Sequence, residues 1–197
     1  VQVTAFDDRQ FVDRDLVNLI KTGRTFFAET YDNVTTYNYS FDMPYLRTQD
    51  SLTIVFDGAT RTIGNSNASS FSMSAGGWST NFSETGVPSN YNSIYARTFN
   101  RCFRFLPSGS PLNISITFNK FDPVTSLGWM NYLEVHGRRD LKMAGNQLLF
   151  QDRASVGPGQ VAEFNLEAAQ SVYRIWDITD PVNVKRIPYT DGGAVKS

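Results

Sequence analysis

Two residues of this 197-residue chain offer a nucleophile and a base: Cys102 and His136 are its only cysteine and its only histidine. A thiol needs a base to form the reactive thiolate, and an imidazole is the usual one. Cys102, however, lies in RCFRF (residues 101–105), a stretch typical of mid-strand, where a small apolar side chain packs. No glycine-rich turn surrounds it to supply oxyanion donors. We therefore expect a buried Cys102 and a surface His136 rather than a catalytic dyad.

Metal binding has little support from the residue types. One His and one Cys make a tetrahedral zinc site only with two carboxylates. The pairs Asp7/Asp8 and Asp13/Asp15 lack the ligand ladder and the central glycine of a calcium loop. Asp13 and Asp15 are better explained as a helix cap and its neighbour. A structural calcium ion stays open as a hypothesis, without named ligands.

Other catalytic motifs are also missing from the sequence. It has no G-x-S-x-G elbow, no P-loop and no dinucleotide glycine pattern. Glu84 and Glu134 would be carboxylates for glycoside hydrolysis, but neither lies in a recognisable motif. We assign no catalytic, cofactor-binding or metal-binding residue, and no cofactor.

Aromatic, basic and Asn side chains raise binding hypotheses. Trp78 and Tyr91 fall in predicted loops and are the two residues to test for sugar stacking. The wider aromatic set, for most of which core packing is the simpler explanation, is Trp78, Trp129, Trp176, Tyr31, Tyr91 and Tyr95. Five arginines raise the hypothesis of an acidic partner, although a solvated basic face is the simpler explanation. They are Arg97, Arg101, Arg104, Arg138 and Arg139. Asn-x-Ser/Thr sequons, given no weight in so polar a chain, begin at Asn33, Asn38, Asn67, Asn81 and Asn113.

Composition narrows the class of protein. Hydrophobic residues make up 41% of the chain and aromatic residues 14%, which is enough for a packed core. The net charge of -1 favours neither nucleic acid nor an anionic membrane as a partner. Charged residues are only 19%, and the many neutral polar side chains are typical of an extracytoplasmic β-protein. One cysteine excludes an intrachain disulfide, and no apolar run is long enough to span a bilayer.

In the segments that would position these residues, apolar and polar side chains alternate with a period of two, as in strands with one buried face. Turn signals containing Gly and Pro separate them, and residues 80–92 resemble a long surface loop. We predict an all-β, antiparallel, jelly-roll-like β-sandwich. The predicted strands fall at 34–43, 52–56, 71–73, 112–118, 129–137, 147–150, 161–166, 172–178 and 184–188.

One short helix is predicted near the N-terminus, in DLVNLIKTG (residues 15–23). Asp15 fits the N-cap and Gly23 the C-terminal stop. The apolar stripe between them would be Leu16, Leu19 and Ile20.

The predicted organisation has three parts. An N-terminal segment with the short helix occupies 1–24, the β-sandwich domain 25–170, and a strand pair leading toward a following domain 171–197. Both ends of the chain look like cuts, so we interpret it as a piece of a larger protein.

Several stretches together resemble one known family. They are TGRTFFAE (22–29), YSFDMPYL (39–46), LTIVF (52–56), GWMNYLEVHGRR (128–139), LLFQD (148–152) and YRIWDITDP (173–181). The chain is similar over 22–188 to the region preceding the catalytic domain of the C-terminal-signal peptidase, or sortase, of the type IX secretion system in Bacteroidetes. That enzyme belongs to the gingipain-type cysteine peptidases.

The resemblance implies a division of labour. In that family a His-Gly pair and a downstream Cys attack the peptide bond before a secretion signal, in an α/β domain that follows this region. His136-Gly137 mimics the His-Gly pair, but it lies in the upstream region and Cys102 precedes it, so no catalytic residue is transferred.

We therefore expect a non-catalytic scaffold or partner-binding domain of an exported peptidase at the bacterial cell surface. Its implied partners are its own downstream catalytic domain and outer-membrane secretion components or cargo, with no nucleic acid and no membrane span. A carbohydrate-binding β-sandwich module is the alternative, and a hydrolase using Cys102 and His136 is the third hypothesis.

Overall fold

The computed structural model describes residues 1–21 and 23–197. Within these residues every regular element is a strand. The strands are β1 Gln2–Val3, β2 Ala5–Asp13, β3 Thr30–Tyr31, β4 Thr36–Phe41, β5 Leu52–Arg61, β6 Ala68–Ala75, β7 Trp78–Thr85, β8 Arg97–Phe105, β9 Leu112–Asn119, β10 Leu127–Asp140, β11 Glu163–Phe164, β12 Ile175–Asp177 and β13 Lys185–Ile187.

Two sheets form the sandwich. One has the order β2-β10-β5-β8, with β3 added on β10, and the other has the order β4-β9-β6-β7. The ladders of β5 with β8 and β10, of β9 with β4 and β6, and of β6 with β7 are antiparallel. The eight main strands are β2 and β4 to β10. When they are renumbered 1 to 8 in chain order, one sheet has the order 1-8-3-6 and the other 2-7-4-5, which is the double Greek key of a jelly roll. The prediction of an all-β antiparallel sandwich is confirmed.

Aromatic rings from both sheets fill the interior. The ring centroid of Phe71 on β6 lies 5.1 Å from that of Phe56 on β5 and 4.8 Å from that of Phe118 on β9. Tyr31 on β3 meets Phe71 edge to face at 5.2 Å. All four side chains are fully buried. Their strands alternate inward apolar with outward polar residues, so the period of two in the sequence is what builds this core.

A β-bulge in β10 changes which residues face the core. The register with β5 shifts between Met130 and Tyr132, so Met130 comes into phase with the buried Leu133. Trp129 instead packs with Phe27 outside the aromatic core. A strict period of two over the strand predicted at 129–137 would put Trp129 on the same face as Leu133, and the structure departs from this because the extra residue of a bulge reverses the alternation.

The chain divides into two compact units. The first comprises Val1–Asp8, Pro44–Arg47 and Arg138–Ser197, and the second comprises Arg9–Met43 and Thr48–Gly137. The first unit holds the parallel pair β1–β11, the hairpin β12–β13, and a small core of Phe6, Leu141, Leu166 and Ala169. The second holds most of the jelly roll.

The helix predicted at 15–23 is not present in the described part of that segment. The backbone N–H groups of Leu16 and Val17 donate to the carbonyl of Phe27, which makes a bridge between two extended segments. Lys21, inside the predicted helix, has a positive φ angle of 55°, which an α-helix does not contain. Leu16 is 65% exposed, so the supposed apolar stripe buries little surface and a short helix has no support from packing.

Two of the longer strands and the two-residue strands β1 and β3 were missed, and one strand was wrongly predicted. β2 was absent from the prediction, and β7 occupies the start of the stretch 80–92 that was predicted to be a loop. Residues 147–150, all described, form no strand. Trp78 is the first residue of β7 and does not lie in a loop.

Candidate functional site

The outer face of the β2-β10-β5-β8 sheet carries both residues with nucleophilic or basic chemistry. Cys102 on β8 is opposite Val55 on β5, and Val55 is opposite Glu134 on β10. His136 on β10 is opposite Thr53 on β5. Directly opposed residues point to the same side of a sheet, so Cys102 and His136 share this face.

The thiol and the imidazole do not meet. The whole of β5 lies between their strands, which places them about 10 Å apart across the sheet and about 7 Å apart along it. His136 Nε2 instead lies 2.8 Å from Glu134 Oε2. Cys102 is a free, exposed cysteine on the edge strand β8, so the expectation that it is buried was wrong. The prediction that it lies within a strand is confirmed.

Glu134 ties two strands together on this face. Arg9 on β2 donates a hydrogen bond to Glu134 Oε1, and His136 contacts the other carboxylate oxygen. The Glu134 side chain is only 18% exposed. The hydrogen bond from Arg9 holds the pKa of Glu134 below its ordinary value, so the group is a carboxylate at neutral pH. The arrangement orients His136 but offers its ring no nucleophile.

A second polar group joins three strands beside it. Asn100 Nδ2 on β8 lies 2.9 Å from Asp57 Oδ2 on β5 and 3.0 Å from the Tyr132 hydroxyl on β10. Asn131 Nδ2, at the bulge, donates to Asp57 Oδ1 at 2.9 Å. Both oxygens of Asp57 are therefore occupied by amides, and the group acts as a cross-strand tie. Partial burial raises the pKa of Tyr132, which keeps its phenol neutral.

Two of the predicted arginines are structural in the first unit. Arg138 Nη1 lies 2.8 Å from both Asp7 Oδ1 and Asp152 Oδ1. The Asp152 side chain is 4% exposed, and burial opposes its ionisation, but the bonds from Arg138 outweigh this and lower its pKa. Arg139 binds Asp8 Oδ2 at 2.9 Å. These arginines stabilise buried carboxylates, which a solvated basic face would not do.

Arg97 and Arg101 also have internal partners. Arg97 Nε donates to the Gly86 carbonyl at 3.0 Å, and Arg101 pairs with Glu84 of β7. Glu84 is therefore engaged across the sandwich edge between β7 and β8. Among the described residues, no three His, Cys, Asp or Glu side chains come together as a metal-ligand set.

The two aromatics selected for sugar stacking have different surroundings. The Trp78 indole stacks on Phe105 with ring centroids 4.4 Å apart and an interplanar angle of 6°, so one of its faces is covered by protein. Tyr91 is fully exposed. Trp129 packs against Phe27, and Trp176 on β12 is 49% exposed.

Arg9, Asp57, Asn100 and Tyr132 belong to the outer-face network but were not singled out from the sequence. Arg9 lies on β2, the strand that was missed. Asp57 and Asn100 are 43 residues apart in the chain. The stretch FDDRQFV around Arg9 has no apolar–polar alternation that would have marked β2, and the pairing of Asp57 with Asn100 depends on strand order.

No helix in the described residues is long and apolar enough to cross a membrane. No protein-family model and no curated protein matches the sequence. The crystal structure of dimeric latent PorU from Porphyromonas gingivalis superposes with a TM-score of 0.78 and 17% identity. The match covers 99% of this chain and 19% of the PorU chain, so the chain spans about a fifth of that protein's length. At this identity the likeness establishes a shared fold.

A second solved structure is similar over part of the chain only. The mosquito-larvicidal Cry4Aa toxin from Bacillus thuringiensis matches with a TM-score of 0.37 and 10% identity. The match covers 52% of this chain and 18% of the toxin. At that TM-score it supports no inference about function.

Proposed function

We propose that this chain is a non-catalytic jelly-roll domain of a gingipain-type cysteine peptidase that processes C-terminal signals in the type IX secretion system. The main support for this proposal is that nearly the whole chain is similar in fold to one segment of PorU. Several stretches of the sequence also resemble that family. The proposal places the domain on an exported, surface-associated protein, where it acts as a scaffold or a partner-binding module.

The motifs behind the resemblance have structural roles, which supports a scaffold. Arg138, in GWMNYLEVHGRR, forms an ion pair with Asp152, the last residue of LLFQD. In YRIWDITDP, Asp177 Oδ1 accepts from the Thr179 N–H at 2.9 Å and Asp180 Oδ1 from the Val182 N–H at 3.0 Å. These contacts hold a buried pair and a turn, so selection for the fold alone would preserve them.

The separation of Cys102 from His136 supports a non-catalytic role. A thiolate mechanism needs the base within hydrogen-bonding reach of the sulfur, and here a whole strand lies between them. Catalysis would then belong to a following domain with its own His-Gly pair and Cys, which also becomes the first partner of this one.

The coding sequence that follows Ser197 tests this proposal. We expect it to encode an α/β domain with a His-Gly pair and then a Cys. In the source bacterium, deleting residues 1–197 from the gene should leave cargo proteins with their C-terminal signals attached. An unrelated following domain, or normal signal removal by the deletion strain, would contradict the proposal.

A further inference from the structure

The outward side of the β4-β9-β6-β7 sheet, called the polar face below, has an unusually uniform chemistry. Apart from Ala68, every side chain that these four strands point away from the core is Ser, Thr or Asn. None of these strands contains a residue outside the described part of the chain. In a chain with 37 charged residues (18 Lys+Arg and 19 Asp+Glu), four adjacent strands thus present a face without charge.

The side chains of the polar face are held in an ordered row. Strand register places Asn81, Ser72, Thr117 and Thr36 side by side across all four strands. Asn81 Nδ2 lies 2.9 Å from Ser72 Oγ, and the hydroxyls of Thr36 and Thr117 are 2.9 Å apart. A ligand would therefore meet positioned hydroxyl and amide groups, and fewer rotamers would be lost on binding.

A shallow depression covers the part of this row that lies on β7, β6 and β9. It has a volume of about 520 Å³, and besides Met73 and Thr80, which point inward, it is lined by the outward residues Ser72, Ser74, Ser79, Asn81, Ser115 and Thr117. Small-molecule sites span about 300–1,000 Å³, so the depression is large enough for an oligosaccharide segment.

The chemistry of the face selects among possible ligands. Phosphate-rich partners such as nucleic acid or anionic lipid require Lys or Arg, and the face has neither. Protein interfaces depend on anchors such as Trp, Tyr and Arg, and Ser is depleted there. Each Ser, Thr or Asn supplies both a donor and an acceptor, which matches a neutral ligand made of hydroxyl groups. We propose that the polar face is a binding site for a neutral glycan that lies across the strands along the Asn81–Thr36 row.

The glycan site is separate from Trp78 and Tyr91 and does not depend on the proposed membership of a peptidase. Its test is isothermal titration of the 197-residue chain with four probes: linear hexasaccharides of glucose, mannose, galactose and N-acetylglucosamine. We expect at least one to bind, with an affinity that changes little with salt because no charge is involved. Binding of none of the four would overturn the proposal.

A double variant, Ser72→Ala with Thr117→Ala, localises the site. Loss of two hydroxyls that can form hydrogen bonds should lower the affinity for the hexasaccharide that binds by about tenfold. Thr53→Ala, on the outer face of the other sheet, is the matched control and should leave the affinity unchanged. Circular dichroism and thermal unfolding establish that both variants are folded. An affinity that the double variant leaves unchanged, or that Thr53→Ala reduces equally, would also overturn the proposal.

Discussion

Cys102 and His136 point from the same side of one sheet and are nevertheless kept apart by β5, on which Val55 faces the first and Thr53 the second. The only thiol and the only imidazole therefore have separate surroundings. His136 is bound to Glu134, and Cys102 lies exposed on the edge strand. Sharing a face is a consequence of strand parity and is not evidence of a dyad.

The reactivity of Cys102 is the first prediction. We expect iodoacetamide to alkylate the folded chain at neutral pH, because the sulfur is exposed, and we expect His136→Ala to leave the rate unchanged. Mass spectrometry over a time course measures both rates. A tenfold or greater loss of rate in His136→Ala, about 1.4 kcal/mol in activation free energy, would show that the imidazole activates the thiol.

Glu134 should stabilise the fold in a pH-dependent way. Its pKa is lowered in the folded state by Arg9 and His136. Such a group contributes stability that is present above its unfolded pKa and is lost as the pH falls through the folded pKa. Glu134→Gln should therefore lower the free energy of unfolding by about 1 kcal/mol at pH 7. The difference in the free energy of unfolding between this variant and the parent should shrink as the pH falls below 4.5, the ordinary pKa of a glutamate.

Urea unfolding across this pH range makes the measurement. Glu163→Gln, at an exposed position of β11, is the control and should show little change at any pH. An effect of Glu134→Gln that is the same at pH 3 and pH 7 would mean that the ionised carboxylate is not the stabilising form.

Buried tyrosines should limit stability at high pH. Burial raises the pKa of Tyr39 to about 12 and raises that of Tyr31 as well. A raised pKa contributes stability that is complete below the unfolded value, near 10, and is lost as the pH rises toward the folded value. We expect the tyrosinate absorbance to show a late step near pH 12 that coincides with loss of the fold.

The variant Tyr39→Phe should raise the pH at which alkaline unfolding occurs, whereas Tyr91→Phe, in an exposed loop, should leave that pH unchanged. Ionisation of all tyrosines in one step near pH 10, with the fold intact, would contradict the burial of Tyr31 and Tyr39.

The Arg138–Asp152 pair should couple strongly. Arg138→Ala leaves the buried Asp152 carboxylate without its cation, and we expect a loss of about 2 kcal/mol or more. Asp152→Asn in the same chain should recover part of that loss, because the uncompensated charge is gone. A double-mutant cycle from thermal or urea unfolding gives the coupling energy. Arg104→Ala, at an exposed position on β8, is the control, and additive single effects would contradict the pairing.

The strands with one buried face were predictable because their period is local. Ile114, Ile116 and Phe118 alternate with polar residues, and β9 forms as expected. β7 escaped prediction for a chemical reason. Its outward positions are Ser, Asn and Thr, the residues that also fill loops, and only Trp78 and Phe82 among its inward residues are apolar.

The helix was mispredicted because all of its support was local, namely the apolar spacing, Asp15 as the N-cap and Gly23 as the stop. Leu16, Leu19 and Ile20 fit a helical stripe, but the chain bridges to Phe27 instead, and that contact is not encoded by local periodicity. The β10 bulge is likewise not encoded by local periodicity, because it depends on the pairing of β10 with β5. Gly58, opposite Met130, has no room for a side chain, since a Cβ there would collide with the Trp129 carbonyl and lie 2.7 Å from the Phe99 ring.

Strand parity also explains the frequent sequons. Asn38, Asn81 and Asn113 each begin an Asn-x-Ser triplet within a strand whose Asn and Ser both point outward on the polar face. Asn and Ser of such a triplet are two positions apart and so lie on the same face of a strand. Strands whose outward residues are Ser, Thr and Asn therefore contain these triplets as a consequence of their composition. The contacts of the candidate site, by contrast, were not predictable. Arg9 and Glu134 are 125 positions apart and meet only through the sheet order.

The most direct test of the proposed non-catalytic role combines Cys102→Ser with His136→Ala in the full-length protein and measures the activity we propose for that protein, the removal of a C-terminal signal from a cargo substrate. The two residues lie on strands that β5 separates, so we predict a rate within about twofold of the parent. A loss of a hundredfold or more in a folded double variant, as expected when a nucleophile or its base is removed, would contradict the account.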